Sequence, residues 1–317
     1  MRRRVAAVDC GTNSLRLLVA DLEPASGTTN WVDRRTTIVR LGQGVDATGS
    51  FRSEALERTF AAIDEYADVI AELGAVDVRC VATSAARDVA NRDVFLDGVR
   101  DRLGVEPEII SGDEEAQLSY DGATRELARH GAVDEPVLVV DIGGGSTEFV
   151  MRDSPDGTVV GQSLDIGSVR LTERRLEDDP PTSEQVNAAV RDVEDALATL
   201  TVPVATARTV VGVAGTVTTM GAMVLDLDRY DRDRVNGSRL ASADVLAAVD
   251  EIVAMTVAER RALAFMHPDR ADVIGAGALV LGGIVGHLGL PEFRASSHDL
   301  LDGIVWSLMP AHQSDAG

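Results

Sequence analysis

Two carboxylates flank a glycine-rich segment near the middle of the chain. Asp141 follows an apolar run at residues 137–140, and Glu148 follows the segment Gly143-Gly144-Gly145-Ser146-Thr147. Because glycine has no Cβ atom, the backbone N–H groups of such a turn can approach an anion closely and point at it together. Carboxylate oxygens are ligands that Mg²⁺ prefers. The segment therefore predicts a phosphate site at the turn and a divalent cation held by Asp141 and Glu148.

The spacing of these glycines differs from that of a dinucleotide fingerprint. A G-x-G-x-x-G pattern that begins at Gly143 needs a sixth-position glycine where the chain has Glu148, and the residues after the turn alternate as in a strand. We expect a strand, a tight glycine turn and an antiparallel strand. A hairpin whose glycines only form the turn is the alternative.

The start of the chain repeats this plan. An apolar run at residues 5–8 leads to Asp9 and then to Gly11-Thr12-Asn13-Ser14, and a second apolar segment follows. In the first half, a turn at 24–27 and a third apolar segment come next. In the second half, the strand after the glycine turn is likewise followed by a turn, at 154–157, and a third apolar segment. Each half thus begins with a strand, an Asp-x-Gly turn and two further strands, which indicates an internal duplication.

A third loop of glycine and hydroxyl residues spans residues 212–219. It follows an apolar strand and continues into a helix, so that the N-terminal amides near Gly215 and Thr216 can bind an anion. One such loop is weak support for a phosphate site. Three loops in a duplicated plan favour a site to which both halves contribute.

Helices alternate with strands elsewhere, which predicts an α/β fold. Helical periodicity extends from Ser53 to Leu73, with Ser53 as the expected N-cap. A second helix is expected to begin within residues 83–87 and to end at Gly104. A third opens at residues 111–116, with Ser111 or Asp113 as its cap and acidic residues in its first turn.

Length and composition set further limits. A chain of 317 residues predicts two domains. No run of 18 apolar residues is present to span a membrane, and the apolar stretch near the N-terminus is too short for a signal peptide, so we expect a cytoplasmic protein without a membrane partner. Cys10 and Cys80 lie in apolar, strand-like segments and are expected to be buried, reduced thiols.

The charged residues exclude several chemistries. All 30 basic residues are arginines, so there is no Walker-A lysine, pyridoxal Schiff base or lysine nucleophile. The net charge of −22 repels polyanions at long range and argues against nucleic-acid binding. A polyanionic substrate therefore needs a cleft with local arginines, glycine-loop amides and a metal ion. Arg87 is a candidate for this role, because an arginine fork can hold two phosphate oxygens and the chain has no lysine alternative.

Five motifs together resemble those of the exopolyphosphatase/guanosine pentaphosphate phosphohydrolase family, in order and spacing, over nearly the whole chain. They are Asp9-x-Gly11-Thr12-Asn13-Ser14-x-Arg16-Leu17, residues 82–87 with Asn91, Ser111-Gly112-x-Glu114-Glu115-Ala116, residues 141–148, and Gly212-x-Ala214-Gly215-Thr216. The resemblance implies two ribonuclease-H-like domains of the actin superfold with a cleft between them, and a short member without the C-terminal helical domains of longer ones. We expect one domain at residues 1–115, to which a helix at 299–312 returns, and the other at 116–298.

The resemblance also implies an activity and roles for residues. Family members release terminal phosphate from inorganic polyphosphate, and some act on guanosine pentaphosphate, with Mg²⁺ or a similar cation such as Mn²⁺. Glu115 is expected to orient or deprotonate the attacking water and Arg87 to clamp a phosphate, while Asp141 and Glu148 hold the metal with help from Asp9. The expected phosphate-binding residues are Gly11, Thr12, Asn13, Ser14, Arg16, Gly143, Gly144, Gly145, Ser146, Gly215 and Thr216.

Other interpretations stay open at this point. Glu115 would serve equally as a first-turn helix acid, and Arg87 as a solvated arginine at a helix start. A protein of this superfold can also be an ATP-dependent small-molecule kinase, or a regulator that binds polyphosphate or guanosine alarmones without turnover. Whether two subunits pair is not decided by the sequence.

Overall fold

The structure, a computed structural model, describes residues 2–23, 28–83, 86–87, 89–152 and 157–309. The predicted turn at 24–27, nearly all of that at 154–157, and the tail from residue 310 lie outside these residues. The chain forms two compact units. The first comprises the described residues up to Leu118 together with those from Leu300 onward, and the second comprises Ser119–Asp299. The predicted domain boundaries stay a prediction.

The described part of the first unit contains a five-stranded sheet in the order β3-β2-β1-β4-β5. Strands β1, β2 and β3 form an antiparallel meander, while β4 and β5 run parallel to β1. The carboxyl ends of β1, β4 and β5 therefore meet at one edge of the sheet. The strands are β1 (Arg3–Cys10), β2 (Ser14–Glu23), β3 (Thr28–Ile38), β4 (Asp77–Ala82) and β5 (Glu108–Ile109).

The second unit repeats this arrangement and adds one strand. Its described sheet has the order β10-β11-β9-β6-β7-β8, in which β6, β7 and β8 form the meander and β9 and β11 continue parallel to β6. The shared order confirms the internal duplication and an α/β fold of two ribonuclease-H-like halves. The strands are β6 (Val137–Ile142), β7 (Thr147–Arg152), β8 (Val159–Leu164), β9 (Thr209–Val213), β10 (Arg239–Ala241) and β11 (Glu292–Ala295).

Helices cover the sheets. They are α1 (Val45–Thr48), α2 (Ser53–Leu73), α3 (Arg92–Leu103), α4 (Gly112–Arg129), α5 (Ser168–Arg175), α6 (Ser183–Leu197), α7 (Ala214–Val224), α8 (Arg232–Val235), α9 (Ser242–Ala254), α10 (Val257–Ala262), α11 (Ile274–Leu288) and α12 (Leu300–Ser307). Alternate residues of β1 pack on opposite faces of the sheet, as strand geometry requires. Ala6 and Val8 join the core beneath α2 and α3, whereas Val5 and Ala7 pack against α12.

The predicted helix from Ser53 to Leu73 is confirmed by α2, but its predicted N-cap and the predicted start of the next helix are wrong. Ser53 is the first residue of α2 and does not cap it, because the carbonyl of Arg52 accepts the first helical hydrogen bond, from Leu56 N at 3.0 Å. Helix α3 begins only at Arg92, because the preceding residues bond elsewhere: the side chain of Asn91 holds the backbone N–H and C=O of Phe51.

Two other predicted helix boundaries are confirmed. Gly104 closes α3 in a left-handed conformation with φ 69°, which glycine adopts at little cost. Ser111, rather than Asp113, caps α4, because its hydroxyl accepts a hydrogen bond from Glu114 N at 3.1 Å. The acidic first turn of α4 therefore begins where the sequence predicts it.

Candidate active site

Asp9 and Arg16 flank the first glycine turn. They are direct partners in the β1–β2 register, so their side chains lie on the same face of the hairpin. Arg16 Nη2 lies 2.6 Å from Asp9 Oδ2, and Arg16 Nε donates to the same oxygen at 2.8 Å. The Asp9 side chain is only 2% exposed, and a buried carboxylate requires such a cation. The predicted metal ligand Asp9 is thus paired with the predicted phosphate ligand Arg16.

Backbone N–H groups of a separate loop, residues 39–42, donate hydrogen bonds to the carbonyl groups of this turn. Gly42 N donates to Thr12 O at 2.8 Å, and the N–H groups of Val39 and Arg40 donate to Asn13 O at 3.0 and 2.8 Å. Arg40 has φ 50°, a left-handed conformation that is uncommon for a residue with a Cβ atom. A Cβ on Gly42 would lie 2.3 Å from Thr12 Cγ2, so the loop approaches the turn this closely only with glycine.

The two residues predicted to be catalytic contact each other. Arg87 Nη2 donates to Glu115 Oε2, and Arg87 Nε donates to the carbonyl oxygen of Ile110 at 3.0 Å. Glu115 lies in the first turn of α4, where the helix dipole stabilises a negative charge. The two side chains are 30% and 26% exposed, respectively, so water reaches the pair.

This ion pair and the first glycine turn lie at the same edge of the first unit's sheet. Asp9 is level with Val81 in the parallel β1–β4 pairing, and Thr83 N donates to Cys10 O at 3.3 Å. Ile110, which leads into α4, continues from the end of β5 and donates to Ala82 O at 3.2 Å. Ligands of open α/β sheets bind at the carboxyl ends of the strands, which is the edge in question.

Asp141 and Glu148 flank the second glycine turn in the same way. They are direct partners in the β6–β7 register, and Gly143 N donates to Ser146 O at 3.0 Å, as Gly11 N does to Ser14 O in the first turn. Two like charges directly opposite each other on a hairpin are destabilising. Two carboxylates with hard oxygen donors therefore fit a divalent cation, and Mg²⁺ commonly takes one or two protein carboxylates together with substrate phosphates.

Hydroxyl groups fix the orientation of Glu148. Its Oε1 accepts a hydrogen bond from Ser146 Oγ at 2.5 Å and one from Ser163 Oγ at 2.8 Å. The hydroxyl of Ser146, predicted to bind phosphate, is thus engaged by the carboxylate. Within the described residues, no group of three or more His, Cys, Asp or Glu side chains is placed to hold a metal ion, so the pair of carboxylates is the candidate centre.

Two of the three predicted loops meet within the second unit. Asp141 is level with Val213 in the β6–β9 pairing, immediately before the loop that opens α7. The backbone there is strained, because Ala214 has φ 69°, and such strain often marks functional loops. Thr216 Oγ1 and Ser168 Cβ lie 2.6 and 3.2 Å from the position that a Cβ on Gly277 would take, so α7, α5 and α11 converge at this glycine.

Cys10, next to Asp9, is not a candidate nucleophile. Its Sγ lies 3.9 Å from that of Cys80, and both cysteines are free and buried, as predicted. The hydrogen bond to Cys80 and burial raise the pKa of the Cys10 thiol well above its ordinary value. The thiol therefore stays protonated at neutral pH.

Comparisons with known proteins agree with these motifs. The model of the Ppx/GppA phosphatase family matches residues 19–312. The chain belongs to this family. Exopolyphosphatase 2 of Mycobacterium tuberculosis is 49% identical over 318 residues, which cover 96% of this chain and 98% of that protein. The guanosine-5'-triphosphate,3'-diphosphate pyrophosphatase of Photobacterium profundum is 27% identical, with 96% of this chain and 59% of that protein covered. A crystal structure of the Aquifex aeolicus family member is 30% identical, covers 97% of both chains and has a TM-score of 0.81.

These matches confirm the predicted family and fold class of this Ppx/GppA protein.

Sequence reasoning missed three residues at the loops of the second unit. Ser168 and Arg170 begin α5 against the glycine turn, and the guanidinium carbon of Arg270 lies 2.6 Å from where a Cβ on Gly215 would be. The only sequence signal for Ser168 and Arg170 was the preceding Gly167, and an arginine near a glycine is common in a chain with 30 arginines; Arg270 had no such signal. No helix in the described part of the chain is long and apolar enough to cross a membrane.

Proposed function

We propose that this protein is a metal-dependent phosphoanhydride hydrolase that releases terminal orthophosphate from short inorganic polyphosphate or guanosine pentaphosphate. The observation that carries the proposal is the contact between Arg87 and Glu115 at the carboxyl end of a sheet, beside a glycine turn. The names of the relatives support the substrate class, since one is an exopolyphosphatase and another is a guanosine-5'-triphosphate,3'-diphosphate pyrophosphatase.

In the proposed reaction a water oxygen attacks the terminal phosphorus, and the bond between that phosphorus and the bridging oxygen breaks. Glu115 accepts a proton from the water, and the shortened chain leaves with the bridging oxygen. Catalysis of this kind depends on positioning the phosphates and neutralising their charge rather than on a covalent intermediate. Arg87 serves both needs, because it orients Glu115 and presents a guanidinium to the terminal phosphate.

Asp141 and Glu148 would hold the cation, Mg²⁺ or Mn²⁺, which when bound neutralises charge that develops on the phosphate oxygens. The glycine turn between these two carboxylates would bind phosphate through its backbone N–H groups. The first turn already contains a neutralised pair, Asp9 with Arg16, so we assign the metal to the second turn. A cytoplasmic location and a homodimer belong to this proposal only as expectations from the sequence.

One assay separates the possible activities. Purified protein with Mg²⁺ is incubated with tripolyphosphate, long-chain polyphosphate, guanosine pentaphosphate or ATP, and the released phosphate is measured. We expect release from tripolyphosphate or guanosine pentaphosphate. Transfer from ATP to an added acceptor would identify a kinase, and binding of polyphosphate without release would identify a regulator.

The matched variants are Glu115→Gln and Glu114→Gln. Both residues lie in the first turn of α4, but Glu114 pairs with Arg79 at 2.6 Å, away from Arg87. Loss of a general base lowers the rate by about 10²–10⁴-fold, so we expect such a loss for Glu115→Gln and near wild-type release for Glu114→Gln. Full turnover by a folded Glu115→Gln protein would remove Glu115 from its assigned role.

A further inference from the structure

We infer that Arg170 is a positioning residue for the glycine turn at residues 143–146, which it holds so that the N–H groups of the turn face the phosphate. This inference rests on the proposed function for the nature of the anion. Arg170 lies in the first turn of α5, outside every motif that predicted the site. Its Nε donates to the carbonyl oxygen of Gly145 at 2.7 Å.

The start of α5 engages three successive carbonyl groups of the turn. Ser168 N donates to Gly143 O at 3.0 Å, and Val169 N and Arg170 N both donate to Gly144 O, at 2.9 and 3.0 Å. The third carbonyl, that of Gly145, is held by the Arg170 side chain instead of a backbone N–H. Two side chains therefore take part in holding this turn: Ser168 Oγ donates to Gly143 O at 3.3 Å, beside the backbone N–H of the same residue, and Arg170 alone supplies the contact with Gly145 O.

Peptide planarity converts these contacts into a direction for the N–H groups. In a trans peptide the C=O and the following N–H point in opposite directions. Because the carbonyls of Gly143, Gly144 and Gly145 point at α5, the N–H groups of Gly144, Gly145 and Ser146 point away from it. Among the described residues, none of these three N–H groups donates to a backbone carbonyl in the turns, loops and caps. They form the kind of concave set of donors that binds a phosphate.

The contact between α5 and the turn is tight. A Cβ on Gly167, the residue before α5, would lie 2.6 Å from backbone atoms of Gly144, so only glycine permits this approach. The guanidinium of Arg170 also stays close to the turn, since its Nη2 lies 3.8 Å from where a Cβ on Gly145 would be. Its other partner, Asp165, is distant at 3.6 Å and 84% exposed, and contributes little.

The first turn supplies a contrast within the same chain. Its carbonyls, those of Thr12 and Asn13, accept hydrogen bonds from backbone N–H groups of residues 39–42. In the second turn a side chain takes over one of these contacts. Substitution of Arg170 therefore releases one peptide of the nest, that between Gly145 and Ser146, and leaves the other two held.

The test compares Arg170→Met with Arg175→Met. Arg175 lies on the same helix and pairs with Asp192 at 2.7 Å, so its substitution also removes an arginine and an ion pair from α5. A hydrogen bond to a charged group contributes about 1.5–3 kcal/mol, which corresponds to a factor of about 10–150. We expect Arg170→Met to raise KM for tripolyphosphate about 10- to 150-fold, while thermal unfolding shows that both variants are folded at the assay temperature. Arg175→Met should keep KM within about twofold of the wild type.

A second variant separates position from charge. Arg170→Lys keeps the positive charge but cannot offer Nε–H to Gly145, so KM should stay at least about fivefold above the wild type. Full rescue by lysine, or a KM for Arg170→Met within about twofold of the wild type, would overturn the inference. If the wild type releases no phosphate from any substrate, the proposed function fails, and calorimetric binding of tripolyphosphate decides the inference independently. Equal Kd values for wild type and Arg170→Met would then refute it.

Discussion

Glu148→Gln tests whether the second glycine hairpin is built for a cation. The substitution removes one of two carboxylates that face each other across the β6–β7 pair, but the glutamine oxygen can still accept hydrogen bonds from Ser146 and Ser163. Relief of the repulsion with Asp141 contributes about 0.2–1 kcal/mol, and the weaker neutral hydrogen bonds offset it. In a chelator, the variant should therefore unfold within about 1 kcal/mol of the wild type.

The difference should appear when metal is added. A cation at about 100 times its Kd stabilises the folded protein by about 2.7 kcal/mol, which raises the melting temperature by roughly 5–10 °C at about 2–4 °C per kcal/mol. We expect this rise with Mg²⁺ or Mn²⁺ for the wild type and a rise below about 2 °C for Glu148→Gln. Phosphate release should fall together with the metal effect.

The assay is thermal unfolding in EDTA and in increasing Mg²⁺, followed by near-ultraviolet circular dichroism. Glu292→Gln is the control, because it removes a partly exposed carboxylate from a strand of the same sheet, where it pairs with Arg239 at 3.2 Å. The control should keep the full metal-induced rise. An unchanged rise in Glu148→Gln would show that the cation binds elsewhere, and a large loss of stability in EDTA would show that the carboxylate is a structural acceptor.

Two further predictions concern the first unit. Arg16→Met removes the cation from the buried carboxylate of Asp9. Loss of one partner of a buried ion pair costs about 3–5 kcal/mol, so the free energy of unfolding measured in urea should fall by that amount. Asp9→Asn in the same chain should restore most of the loss. A loss below about 1 kcal/mol would contradict this account. Hydrogen bonds from Arg4 and Arg2 hold the pKa of Asp21 in the folded protein below its ordinary value. The contribution of Asp21 to the free energy of unfolding is therefore complete above about pH 3.9 and is lost as the pH falls toward the pKa of the folded state. Asp21→Asn should therefore flatten the decline of stability below about pH 3.9, and an unchanged slope in urea titrations at several pH values would refute the assignment.

The elements that the sequence predicted correctly are those set by local patterns. Apolar alternation and glycine turns define both hairpins, and Gly104 ends α3 because a left-handed residue is needed there. The start of α3 was wrong because it depends on contacts across the fold. Asn91 bonds to the backbone of Phe51, forty positions earlier, and nothing in the local sequence indicates that pairing.

The candidate site also contains features that are set by local sequence and others that depend on contacts across the fold. That Asp141 and Glu148 lie opposite each other could be predicted, because the turn between them fixes their register and sequence spacing alone puts them on one face. Arg170 could not, because its contact with Gly145 depends on how α5 packs against a turn that lies 25 positions earlier. Gly167 permits that packing, but glycine is a frequent residue at helix N-caps, so its presence in the sequence does not identify the contact.

The two hairpins show how one duplicated element acquires two electrostatic roles. Both have an aspartate before the turn and the same hydrogen bond from a glycine N–H to a serine carbonyl. In each case a glycine from a neighbouring segment, Gly42 or Gly167, packs so closely on the turn that a Cβ would clash. They differ at the register position opposite the aspartate, where the first has Arg16 and the second has Glu148. An arginine there neutralises the aspartate within the protein, whereas a glutamate doubles the negative charge and so favours a bound cation. In the proposed mechanism, the backbone of the turn therefore sets where phosphate binds, and one side chain across the strand pair sets whether a metal ion accompanies it.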